Sequence, residues 1–140
     1  MITFADFDAL AVEVAECLTG QEIALRWRSP ASIGSIGAAS KLFDKFVIEV
    51  NPELPADQWL SVFLHECAHV LLHGKEMRDS FASIRPSASR TRKLVENPEY
   101  YAEELEADQL AEYWLNLAQE AAVIKTEYRM LEALRQIYSN

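Results

Sequence analysis

The sequence is poor in cysteine and glycine and carries no surplus of positive charge. It has two cysteines, Cys17 and Cys67. One disulfide is arithmetically allowed, but two widely spaced cysteines make no disulfide framework, and buried reduced thiols are the plainer expectation. There are four glycines. The stretch Ser32–Ser40 contains two of them, yet it lacks the lysine of a phosphate loop and the glycine spacing of a dinucleotide fingerprint. The formal net charge is -9, which argues against broad binding to nucleic acid, whose phosphates need a basic surface. No apolar run approaches the roughly 20 residues a membrane span requires. No base precedes Arg26, so no signal peptide is read at the N-terminus and a cytoplasmic protein is expected.

The chain has 140 residues, half of them hydrophobic and a quarter charged. That is the profile of a single globular domain over 1–140 with a real core. Thr3 can cap a first helix, with Asp6 in its first turn. Phe7, Leu10, Ala11, Val14, Cys17 and Leu18 follow at helical spacing, and Gly20 stops it. Ile23–Arg28 reads as a strand, Ser32–Ser40 as a turn or loop, and Lys45–Val50 as a second strand ended by Asn51-Pro52. A helix opens at Pro55–Trp59, with Leu60, Phe63, Leu64, Cys67, Ala68 and Leu71 on its apolar face and Gly74 as its stop.

Residues 75–96 read as a long surface loop, with six basic residues between Lys75 and Lys93. A substrate lid or docking loop is the sharper alternative there. Asn97-Pro98 starts the last helical region. It runs to about Tyr138 as one helix or as two with a break near Gln119. Residues 119–140 form a C-terminal helical extension that packs on the domain or on a second copy.

The chemistry sits in His65-Glu66-Cys67-Ala68-His69, which fits H-E-x-x-H. On a helix, residues four apart share a face, so both imidazoles can converge on one zinc ion. Glu66 lies about 100° around the helix and borders the metal as a general base. Zinc lowers the pKa of the water it binds from 15.7 to about 7, so a neighbouring carboxylate can complete the deprotonation. Cys67, about 200° from His65, should face the core.

A catalytic zinc needs a third protein ligand. Glu104 and Asp108 are four apart on the last helical region. Glu104 is the candidate ligand, and Asp108 the acceptor of the outer N–H of one histidine. Glu103 and Glu106 fall elsewhere on the helix and should be solvated. His73 would stand about 12 Å along the axis from His65, too far to join the same metal, and is expected at the helix C-terminus, where a cation is favoured.

With these residues in place the chain resembles the ImmA/IrrE family of zinc metallopeptidases. The resemblance runs through Phe46–Pro52, His65–Gly74 and Glu104–Ala111, covering roughly residues 46 to 115, and the three parts occur in the family's order. One departure is the Cys67-Ala68 pair, where the family often has glycine before the second histidine. The resemblance implies an α+β, zincin-like single domain, mostly helical, with a small sheet beside the active-site helix. It also implies His65, His69 and Glu104 as ligands of one Zn2+, and Glu66 as catalytic base. Some members are cytosolic endopeptidases that cut a helix-turn-helix transcriptional repressor. The expected function is therefore that of a zinc-dependent metallo-endopeptidase acting on a peptide bond in a protein substrate.

A peptide could add as an extra strand along Phe46, Val47, Ile48, Glu49 and Val50. Tyr100 or Tyr101, four and three residues before Glu104, could donate to the oxyanion. The alternative is a non-catalytic zinc-binding regulatory or protein-interaction module, with the long C-terminal helix as its working surface. That helix could also form a homo-oligomer.

Overall fold

The computed structural model describes residues 3–28, 36–77 and 98–139, without the side chains of residues 56, 57 and 98–100. Most of the 75–96 loop, the Asn97 cap and the Tyr100 side chain lie outside the described residues. The elements are α1 (Phe4–Thr19), β1 (Ile23–Trp27), β2 (Gly37–Leu42), β3 (Lys45–Val50), α2 (Ala56–His73) with a 3-10 turn at Gly74–Glu76, α3 (Pro98–Ala121) and α4 (Glu127–Tyr138). This is an α+β fold, mostly helical, with a three-stranded sheet.

Local chemistry explains where α1 starts and stops. Thr3 accepts from the Asp6 backbone N–H while the Asp6 carboxylate accepts from the Thr3 N–H, a reciprocal capping box. Gly20 ends the helix in the left-handed region, at φ 69°, which costs glycine nothing.

Strand order is β1-β3-β2. β1 runs parallel to β3, and β2 antiparallel to it. Register puts Ile23, Leu25 and Trp27 beside Phe46, Ile48 and Val50, and Gly37 and Ala39 beside Val50 and Ile48. Cross-strand partners share a sheet face, and this face meets the helices. Phe46, Ile48 and Val50 join Leu60, Phe63, Leu64, Cys67 and Ala68 of α2 in one buried cluster with α1, α3 and α4.

Four expectations need correction. Gly37–Leu42 is a strand, not part of a loop. Small residues there conceal the apolar alternation, and the reason for them is contact: a Cβ on Gly37 would lie 2.7 Å from Val62 Cγ1, so α2 rests almost directly on β2. Leu71 is exposed, because the buried arc of the last turn of α2 passes through Val70 and Gly74 instead. β3 offers no free edge to a peptide, since Phe46–Val50 is paired on both sides and is the centre of the sheet. Among the described residues, β2 is the outer strand of the sheet beside α2.

The fourth correction concerns the C-terminal extension. The helical region breaks between Ala121 and Glu127, slightly later than Gln119, and Thr126 caps α4 by accepting from the Arg129 N–H. Ile124 is exposed in this break. α4 then packs on α1 and α3, burying Met130, Leu131, Ala133 and Leu134. Of the two expected placements, packing on the domain is the one seen.

Candidate metal centre

α2 and α3 pack side by side, and the facing residues are those of the two motifs. His65 and His69 project from one face of α2, one turn apart, with ring centroids 4.7 Å apart. Their Nε2 atoms are 3.1 Å apart. Glu104 of α3, only 8% exposed, brings one carboxylate oxygen to 2.9 Å from His65 Nε2 and the other to 3.1 Å from His69 Nε2. Two imidazole nitrogens and a carboxylate therefore meet at one point between two helices. Ligand atoms about 2.0–2.1 Å from a tetrahedral zinc lie about 3.3 Å from one another. The observed separations are 0.2–0.4 Å shorter than that spacing, so the donor set fits a zinc ion with a small outward shift of the side chains.

Asp108 stands one turn beyond Glu104 and holds His65 from behind. Its Oδ1 is 2.6 Å from His65 Nδ1. A carboxylate can only accept there, so Nδ1 carries the proton and a neutral His65 keeps its Nε2 lone pair for the centre. That lone pair faces a carboxylate and a second imidazole, an arrangement that calls for a cation or a proton between them. Burial alone would lower the His65 pKa. The hydrogen bond with Glu104, joined by the charges of Glu66, Glu104 and Asp108, outweighs burial and holds it above the ordinary histidine value.

Glu66 is 5% exposed. It offers a carboxylate oxygen within 4.8 Å of ligand atoms on His65 and His69. It also lies against the sheet, since a Cβ on Gly37 would be 3.3 Å from Glu66 Cγ. Glu66 is thus wedged between the candidate metal centre and the Gly37 end of β2. Gly37→Ala should force Val62 or Glu66 to shift, at a cost of about 1–3 kcal/mol, measurable by urea unfolding. Unchanged stability would mean that α2 can move away from β2 freely.

Cys67 is fully buried on the opposite side of α2, among the core residues. Burial pushes its thiol well above the usual value, so it is no rival ligand.

One site expectation weakens and one gains a further contact. Tyr101 is more than half exposed, a poor placement for an oxyanion donor. Tyr101→Phe is expected to leave turnover within about twofold of wild type, since a positioned donor would be worth at least 10²-fold. Steady-state kinetics decides it. His73 ends α2, as expected, and it also turns inward: its side chain is 11% exposed and its Nδ1 lies 3.2 Å from His69 Nδ1. The repeated four-residue spacing His65-His69-His73 was the available signal. The distance of His73 from His65 excludes a shared metal but not a contact with His69, one turn away.

Compared with family models, curated proteins and solved structures, the chain matches none.

Proposed function

We propose that the chain is a zinc-dependent metallo-endopeptidase. The observation that carries the reading is the meeting of His65, His69 and Glu104 at one point, with Glu66 buried beside it and Asp108 fixing the first histidine. A binding-only site has no need of a further carboxylate held next to the ligands. The resemblance of the two motif segments and of the Phe46–Pro52 strand to the ImmA/IrrE peptidases supports the same reading, and with it a zincin-like arrangement of the sheet and α2.

A zinc ion bound here supplies Lewis acidity, polarising the scissile carbonyl and acidifying water. The protein does the rest. An extended peptide pairs with the outer edge of β2 over Ala38–Leu42, the strand on which α2 rests. Glu66 accepts a proton from the attacking water and delivers it to the leaving amine. Asp108 keeps His65 in one tautomer throughout. The substrate to try first is a basic helix-turn-helix repressor, which suits a chain of net charge -9 in the cytoplasm. No helix of the described residues is long and apolar enough to cross a membrane.

The test is cleavage of an unbiased peptide library by the zinc-loaded protein, before and after chelation. Cleavage should vanish with the chelator and return with zinc. Cleavage that survives chelation sinks the proposal. Tight zinc binding with no cleavage of the library or of any repressor would favour the regulatory module.

A further inference from the structure

The two histidines of the centre are supported differently. Behind His65 stands a carboxylate; behind His69 stands another imidazole, His73, with Nδ1 facing Nδ1 at 3.2 Å and the rings 5.4 Å apart at 49°. The other nitrogen of His73, Nε2, is buried and makes no hydrogen bond among the described residues. The nearest acid to it is Glu106 of α3, whose Oε2 is 3.8 Å away, within ion-pair range but beyond a hydrogen bond. Leaving a buried ring nitrogen unpaired is unfavourable. A leucine or phenylalanine at position 73 would avoid that cost if the side chain only filled space.

Two proton arrangements are open to this pair. If His73 donated to His69, the His69 proton would sit on Nε2, pointing into the centre, and the bare Nε2 of His73 would face the Glu106 carboxylate. If His69 donates to His73, the Nε2 lone pair of His69 is free for a metal, and the His73 proton lies on Nε2, toward Glu106. Only the second places a proton toward each acceptor and none where the ligands meet.

We infer that His73 is a positioning residue that accepts the Nδ1 proton of His69, with Glu106 holding His73 in the matching tautomer. It does for the second ligand what Asp108 does for the first. The inference rests on the metal-site reading above and adds to it a function for the third histidine.

The experiment is zinc affinity, by competition with a chromophoric chelator, for wild type, His73→Leu and His73→Asn, with circular dichroism confirming the fold. His73→Leu should weaken zinc about 10- to 100-fold. His73→Asn, whose amide oxygen takes the place of Nδ1, should recover to within about fivefold of wild type. Glu106→Gln, on an exposed side chain that the fold does not need, should weaken zinc about two- to fivefold, while Glu103→Gln should not. That second pair decides the matter should His73→Leu fail to fold. Wild-type affinity in a folded His73→Leu, or equal weakness in the Leu and Asn variants, overturns the inference and leaves the zinc site standing. A wild-type chain that binds no zinc overturns both.

Discussion

Glu66→Gln is expected to keep its zinc and lose peptide-bond turnover by about 10²- to 10⁴-fold, the range a positioned general base supplies. The substitution is close to isosteric, which matters because Glu66 is buried between α2 and β2 with no room to rearrange. The amide still fills the space beside Val62 and Gly37. It cannot accept a proton from water, and it carries no charge to favour that transfer. The three ligand side chains are untouched, so zinc content should remain at one ion per chain. A variant with wild-type turnover would remove Glu66 from the chemistry. A variant that lost its zinc would make Glu66 a ligand and return the assignment of the base to open question.

Zinc itself should be a large stabilising ligand. A ligand that binds only the folded chain at a hundredfold excess over its Kd contributes about 2.7 kcal/mol, on the order of 10 °C in Tm for a chain of this size. The ligands come from two helices far apart in sequence, so the unfolded chain cannot reproduce the site, and little of that gain is offset. Glu104→Ala removes the only ligand contributed by α3 and should abolish nearly all of the shift. Differential scanning fluorimetry with and without zinc measures both. A shift of similar size in the variant would mean that zinc binds elsewhere, and no shift in wild type would argue that this centre binds no zinc.

Much of the site is legible in the sequence because it is local. His65 and His69 are one turn apart on a helix whose apolar period is plain, and Glu104 and Asp108 repeat that spacing on another. Helix geometry alone brings each pair to one face. That the two faces meet is a tertiary fact. The motif makes it an expectation, and the packing of α2 on α3 establishes it. Cys67 likewise follows from angle alone.

What could not be read depends on contacts between segments. Gly37-Ala38-Ala39-Ser40 looks like a loop because its side chains are too small to show alternation, yet they are small because α2 presses on them. β3 has the stronger strand sequence, and that strength reflects its central, doubly paired place in the sheet. The property that made it conspicuous also denies it a free edge. His73 was judged by its distance from His65, whereas its partner is His69. The break after Ala121 carries no glycine or proline, and Thr126 shows its role only in the cap it makes with the Arg129 N–H.

The central claim is that His65, His69 and Glu104 close on a single zinc ion. X-ray absorption spectroscopy of the zinc-loaded chain tests it most directly. The account requires a first shell of nitrogen and oxygen at about 2.0–2.2 Å, with outer-shell scattering from two imidazoles and no sulfur. A zinc–sulfur distance near 2.3 Å, or scattering from fewer than two imidazoles, would contradict it.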